Sequence, residues 1–415
     1  MTTLSYLGTP MKNFSFIDLF CGIGGFHQAM ASLGGKCVFA CDIDENCRKT
    51  YYTNYGMMPL GDITKIAAED IPSHDVLCAG FPCQSFSKAG NRLGFKDSTK
   101  GTLFFDILRV LEYHHPQYAL LENVRNLATH DHGNTWKTIY ESLKGLGYDL
   151  LPQPVIFSPH YLGIPQHRER VFIMCVRKDI DTIPPFYFDN AKLPVCNIET
   201  ILQPDRDVVN LSKYRLSNEQ IHLLSLWNEF IGTIKCSKLP GFPIWSERLC
   251  DLNPNEDLSQ YPNWKQNFIR KNNELYLANR EFIDEWLIRA RQCSLFFGAK
   301  AKFEWQAGQS AKPNLWGNIL QMRPSGIRVK PGTYFPALVA ITQTSIVGCR
   351  KRYLTIRECA RLQSFPESFL PNPIEAQAYK QFGNAVNVEV ASLFACYMLD
   401  IKGVRKRYCL TGKGS

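Results

Sequence analysis

Between residue 14 and about residue 180, short apolar runs alternate with stretches of helical spacing, and no other feature limits the fold as much. The strand candidates are 14–20, 36–41, 75–79, 118–121 and 170–176, with helix-like segments at 25–33, 102–113 and 135–146 between them. Strand followed by helix, repeated, predicts an α/β domain: a largely parallel sheet with helices on both faces.

Beyond about residue 180 the rhythm stops. Residues 181–345 are richer in Pro, Asn and Trp, and predict a second, less regular domain in which one helix, 281–292, stands out. Pattern resumes at 355–362 and again at 381–399, where the apolar spacing is that of a final helix. The expected division is a first domain of 1–185, completed by 375–415, and a second of 186–374.

Composition sets outer limits. With 415 residues, 45% hydrophobic and 20% charged, the chain is of ordinary globular type and long enough for two domains. No apolar run reaches the 18 or so residues of a membrane span, and residues 1–13 lack the pattern of a secretory signal. The 15 cysteines are odd in number, scattered and without a Cys-x-x-Cys pair. That argues against a disulfide framework or a zinc site and for a reducing cytoplasm. Lys and Arg exceed Asp and Glu by 47 to 38, a net +9 that permits a polyanionic partner without requiring one.

Three constellations carry chemistry. In the first, the run Phe16-Ile17-Asp18-Leu19-Phe20 ends in Cys21-Gly22-Ile23-Gly24-Gly25, a glycine-rich turn opening a helix. A tight structural turn explains it about as well as a ligand site does. Asp42 closes the next run, where an acid suits ribose hydroxyls. Asp62 ends another and suits an adenine amino group. His27 takes the place of the third glycine of a dinucleotide fingerprint, and no phosphate-binding lysine follows, so a nucleoside without pyrophosphate fits better.

In the second, Phe81-Pro82-Cys83-Gln84 follows the run 75–80 and so places a cysteine just beyond a strand's carboxyl end. Glu122, in Leu120-Leu121-Glu122-Asn123-Val124, belongs at the end of another strand, where partial desolvation raises a carboxyl pKa. In the third, Arg168 and Arg170 alternate into the strand 170–176 and share one face. His167 between them carries no assigned role.

Together these residues resemble the 5-methylcytosine DNA methyltransferases of bacterial type II restriction-modification systems. The motifs run in the family's order, ending with Arg357-Glu358-Cys359-Ala360-Arg361-Leu362-Gln363 and Gln381-Phe382-Gly383-Asn384-Ala385-Val386. The resemblance is dense over 14–180 and 352–399, and the unmatched 181–345 falls where the family carries its variable target-recognition domain. It implies a Rossmann-like methyltransferase sheet, S-adenosylmethionine as cofactor and double-stranded DNA as partner. It further implies a cytoplasmic, monomeric enzyme whose restriction endonuclease is a functional rather than a physical partner.

The chemistry accounts for the residue types. Carbon 5 of cytosine is a poor nucleophile until a thiolate adds to carbon 6, and the resemblance makes Cys83 that thiolate. Glu122 would engage ring nitrogen 3 and the exocyclic amine, Arg170 the carbonyl oxygen, and Arg168 would line the same site. The cofactor would lie against Phe20, Gly22, Ile23 and Gly24, with Asp42, Ile43, Asp62, Ile63, Pro82, Leu103 and Asn384 completing its pocket. Carbon 5 is inaccessible in a stacked duplex, so the base must be flipped out. Segment 87–101, with Lys88, Arg92 and Lys96, is placed to close over it.

The chain departs from the family in three places. Ile43 replaces the aromatic often found on adenine, Ala385 a small hydroxyl residue, and Ala337-Leu338 the usual Thr before Leu or Val. Methylation of RNA by the same motifs, a Cys83-based hydrolase and an inactive DNA-binding scaffold are the competing functions.

Overall fold

The structure, a computed structural model, describes residues 13–82, 103–189, 193–339, 345–400 and 404. The chain separates into two compact units, one of 1–195 with 359–415 and the other of 196–358.

The first unit is built on β1 (Phe14–Leu19), β2 (Gly35–Cys41), β3 (Val76–Gly80), β4 (Tyr118–Val124), β5 (Tyr148–Leu150), β6 (Val155–Phe157) and β7 (Arg170–Arg177). They form one sheet in the order β2-β1-β3-β4-β7, with β5 and β6 both on the outer edge of β7. Strands β1 to β4 are parallel and β7 runs against β4. Pro152 and Pro154 separate β5 from β6, since a proline cannot donate to a ladder.

Helices α1 (Gly25–Ser32), α2 (Glu45–Tyr55), α3 (Leu103–His114) and α4 (Asn134–Gly145) alternate with the strands. Alternate residues of the sheet (Leu77, Ala79, Leu121 and Ile173 among them) face α3 and α4, in one core with Phe104, Ile107, Trp136 and Ile139. The other face meets α1, through Phe16 against His27, and the last helix, through Phe172 stacked 4.5 Å from Phe394. Helix α2, absent from the sequence reading, has little apolar character; Asp44 caps it by accepting from the amides of Asn46 and Cys47.

Two expectations need correction here. The single final helix is two, Glu375–Asn384 and Val388–Met398, separated at Ala385, where Asn387 caps the second by accepting from Val390 N. Residues 359–374 group with the first unit rather than the second. The reason is local: Leu370 exchanges backbone hydrogen bonds with the Asn54 side chain, and Gln363 donates to Phe382 O. At the other boundary, Tyr397 donates to the carbonyls of Pro184 and Pro185, keeping that stretch with the sheet.

The second unit is more regular than its composition suggests. It holds helices Asn218–Thr233, Asn263–Ala278 and Arg280–Arg291 and a six-stranded sheet. Its strands are two to five residues long, too short to register as periodicity. Trp227, stacked 4.8 Å from Phe303, and Trp286 fill its core. Among the described residues no helix is long and apolar enough to cross a membrane.

A buried ion pair anchors the end of this unit. Arg352 and Glu358 are both fully buried and meet at 2.7 Å. Glu358 also accepts from Thr355 N, while its own amide donates to Thr355 Oγ1, which is a capping box for the helix Ile356–Leu362. Removing the charge leaves Arg352, among the described residues, with one anion, the half-buried Asp205 at 3.0 Å, and with the carbonyls of Tyr353 and Gln203. Glu358→Gln is therefore expected to destabilise the protein by about 3 kcal/mol, measured by urea unfolding; a loss below about 1 kcal/mol would show that Asp205 alone satisfies the guanidinium.

Candidate active site

Parallel strands bring their carboxyl ends to one edge, and the chemistry-bearing residues gather there. The chain leaves β1 for β2 on one side and returns to β3 on the other, so a crevice opens beyond β1. Phe20, with φ 55°, and Gly22, with φ 53°, turn the backbone there, and a Cβ on Gly22 would meet nothing within 4 Å. Asp42, just past β2, accepts from Gly22 N through Oδ2 and from Asp44 N through Oδ1, each at 2.8 Å. Burial raises its pKa, and those two amides partly offset the rise. Next to it the Ile43 side chain is 76% exposed, an open apolar surface of the kind an adenine ring covers. An acid, an exposed apolar side chain and an open glycine turn suit a nucleoside cofactor such as S-adenosylmethionine.

The other expected cofactor contacts divide. Pro82 and Asn384 are exposed and Leu103 is half-buried. Asp62 lies at the surface with Oδ1 accepting from Thr64 N and Oγ1, which lowers its pKa. Ile23 and Ile63 are buried side chains, so they would offer a ligand backbone rather than side-chain surface. Gly24 is closed on its Cβ side: a methyl group there would fall 2.4 Å from the Tyr55 ring.

Tyr55 was not evident from the sequence. Its hydroxyl donates toward Ile23 O and Gly24 O at 3.1 and 3.2 Å, bracing the glycine turn from α2. The ring stacks 3.8 Å from His27, which in turn hydrogen-bonds Tyr51 Oη through Nδ1 at 2.7 Å.

At the end of β4, Glu122 is 8% exposed and its Oε1 lies 3.2 Å from Arg170 Nε. Antiparallel register explains the meeting: Val124 pairs with Arg170, which opens β7 at the same edge. Burial raises the Glu122 pKa, opposed by Arg170 and then Arg168. Gly80 pairs with Glu122 across β3, where a Cβ would sit 3.6 Å from the carboxylate. Asn123 donates to Phe81 O at 2.9 Å and so fixes the strand exit that leads to Cys83. Cys83 itself lies outside the described residues, as does segment 87–101.

Arg168 acts on the Glu122 carboxyl through its charge, but its hydrogen bonds run to other partners. It is 3% exposed, and its guanidinium donates to Gly383 O and Ala385 O at 2.9 and 3.1 Å. Its amide donates to Ser158 Oγ at 2.9 Å. Arg168 thus straps the junction of the two last helices, where Asn384 sits, to the start of β7. Nothing in the sequence told this arginine from Arg170, because both precede the same strand and only the tertiary fold brings the carbonyls of 383 and 385 to one of them.

Two outcomes follow. Tyr55→Phe removes the hydroxyl alone, and should weaken S-adenosylmethionine binding about fivefold, or about 1 kcal/mol, in calorimetry, with kcat and Tm nearly unchanged. An unaltered Kd would show the brace to be idle. Because the Glu122 pKa is raised, the folded protein retains that proton at pH values where the unfolded chain has lost it. Its contribution therefore declines as pH rises from about 4.3 through the raised value. Glu122→Gln should lose less stability than the wild type over that interval in urea titrations, and parallel curves would refute the perturbation.

With the geometry described, known proteins provide the comparison. Residues 14–398 match the family described as C-5 cytosine-specific DNA methylase. The chain is 35% identical to the type II methyltransferase M.AluI of Cellulosimicrobium cellulans, over 91% of this chain and 90% of that one. It is 31% identical to the type II methyltransferase M.HhaI of Haemophilus parahaemolyticus, covering 92% of each. The solved structure of a Spodoptera frugiperda DNMT2 variant shares the fold, with a TM-score of 0.52 at 20% identity over 93% of this chain and 99% of that one. The buried Glu122–Arg170 pair and the open glycine turn thus occur in a chain that belongs to the C-5 cytosine-specific DNA methylase family, a DNA (cytosine-5-)-methyltransferase.

Proposed function

We propose that the protein methylates cytosine in duplex DNA through a covalent adduct between Cys83 and carbon 6 of a base turned out of the helix. The observation that carries this reading is the buried pair Glu122–Arg170 at the end of β4, beside the strand exit that Asn123 holds. A carboxyl whose pKa is raised by burial can present a proton to ring nitrogen 3, and the guanidinium beside it can hold the carbonyl oxygen. Both contacts strengthen as the thiolate adds, because addition places negative charge on the ring. Carbon 5 then carries enamine reactivity and takes the methyl group; loss of its proton expels the thiolate and restores the ring. S-adenosylmethionine supplies the electrophilic methyl. The residues that would hold it are Asp42, toward the ribose, and Ile43, against the adenine, with the glycine turn alongside.

The same reading makes the protein the modification half of a type II restriction-modification pair, acting as a monomer in the cytoplasm. Support comes from the names of the relatives, which are type II methyltransferases.

The test is transfer of tritium from methyl-labelled S-adenosylmethionine to unmethylated mixed-sequence duplex DNA, with tRNA and the Cys83→Ser variant in parallel. Label should enter DNA and fall by at least about a thousandfold in the variant, whose DNA affinity stays near wild type. Turnover retained by Cys83→Ser would remove the nucleophile, and label confined to tRNA would reassign the substrate. Bisulfite sequencing of the product would read out the methylated sequence.

A further inference from the structure

The second unit carries many basic and amide side chains suited to DNA contacts, among them Arg248, Arg270, Lys300, Lys302, Gln309, Arg323 and Arg328. The structure separates them. Arg248 is held by Glu256 at 2.8 Å, Arg270 bonds the Gln266 side chain, and Lys300 lies over the Phe297 ring. Arg323 and Arg328 stand apart because they share one face of a sheet.

Strands Ile319–Arg323 and Gly326–Lys330 form a tight antiparallel hairpin through the exposed Pro324 and Ser325. Gln321 lies opposite Arg328 and Arg323 opposite Gly326. Strand Lys302–Trp305 runs parallel beside it, with Glu304 opposite Arg328. Alternation sends Leu320, Ile327, Val329, Phe303 and Trp305 into the core of the unit. The opposite face therefore carries Lys302, Glu304, Gln321, Arg323, Arg328 and Lys330, four cations against one anion, with Lys302 also paired at 3.6 Å to Glu247.

That one anion is engaged, since Glu304 lies 3.1 Å from Arg328 Nε and accepts from Gln306 Nε2. Among the described residues Arg323 and Lys330 have no ion-pair partner. Burial, and then Arg328 ahead of Arg323, push the Lys330 pKa down, with Glu304 opposing. Arg323, Arg328 and Lys330 thus gather positive charge on one side of the hairpin, a field that a polyanion lying on it would neutralise. Gln321, opposite Arg328, is buried at 5% exposure, and its amide oxygen has no hydrogen-bond partner among the described residues.

We infer that this cationic sheet face, centred on Arg323, Arg328 and Lys330, is the surface through which the second unit holds duplex DNA. Arg323 and Lys330 neutralise phosphates, and Arg328 is oriented by Glu304 toward a base edge. The inference rests on DNA being the substrate, and commits this face, rather than any other part of the unit, to contacting it. An arginine fork fixed by a carboxylate suits guanine O6 and N7, whereas unpaired cations suit phosphate oxygens.

The experiment measures duplex affinity of the full chain by fluorescence anisotropy across a salt series, with S-adenosylmethionine affinity by calorimetry alongside. The double variant Arg323→Ala/Lys330→Ala should flatten the slope of log K against log salt by roughly two, with cofactor Kd and Tm unchanged. Glu304→Gln should tighten duplex binding about threefold, an increase that a purely structural role for the pair would not produce. Arg328→Ala should relax discrimination among bisulfite-read sites, with little change in the salt slope. An unchanged slope in the double variant, or a cofactor Kd that shifts with it, would overturn the assignment. Stronger competition by tRNA than by duplex DNA would do the same. A wild type that binds duplex with this slope yet transfers no methyl to it would strike the proposed function and leave the face standing.

Discussion

Close backbone approach at the carboxyl edge of the sheet is the constraint on which the rest of the first unit depends. A Cβ on Gly25 would lie 2.5 Å from Val386 O, and one on Gly80 would lie 3.3 Å from a Val386 methyl. Only because those positions lack side chains can the junction between the two last helices settle onto the ends of β1 and β3. Once there, it offers the carbonyls that Arg168 takes, with exposed Asn384 between them. The Glu122 carboxylate lies on the same side of Gly80, where a Cβ would reach ordinary contact with it at 3.6 Å.

Electrostatics then divides two neighbouring arginines between two roles. Arg170 retains a half-open position against Glu122, and its charge counteracts the desolvation of the carboxyl. Arg168 is deeper and donates to backbone carbonyls, so it sets geometry and acts on the carboxyl less strongly than Arg170 does. A buried guanidinium that satisfies carbonyls from a distant segment is a rigid tie, because moving it leaves both the charge and the carbonyls without partners. The two arginines, two residues apart in sequence, thus serve a chemical and a mechanical part of the site.

Much of this could be read from the chain and some of it could not. Runs such as 75–79 and 170–176 are apolar on both faces, and β3 and β7 appear within a residue or two of the places they marked. The places of Asp42 and Glu122 at strand ends were legible because each acid closes an apolar run, and their order among the other motifs, rather than either acid alone, pointed to a site. Tyr55 was not, since a tyrosine in a polar helix gives no sign of which carbonyls its hydroxyl will meet. The break at Ala385 was missed because apolar spacing continues across it, and only the Asn387 cap marks a new start. The strands of the second unit escaped for lack of length, and their cationic face becomes visible only when register places Arg323, Arg328 and Lys330 on one side.

The division of the first unit between 1–195 and 359–415 also has a consequence for synthesis. Helix Val388–Met398 covers the sheet face that includes Phe172 and packs against α1. On the ribosome, β1 to β7 emerge long before that helix is made, with the whole of 196–358 to be translated in between. The nascent sheet therefore waits with one apolar face bare and with Arg168 lacking the carbonyls it will hold. A polypeptide that stops early never completes its catalytic edge, so the enzyme becomes competent only when its final helices have left the exit tunnel. Joining the two outer segments directly, or supplying the last one as a separate peptide, would be a natural way to turn this late closure into an engineered switch.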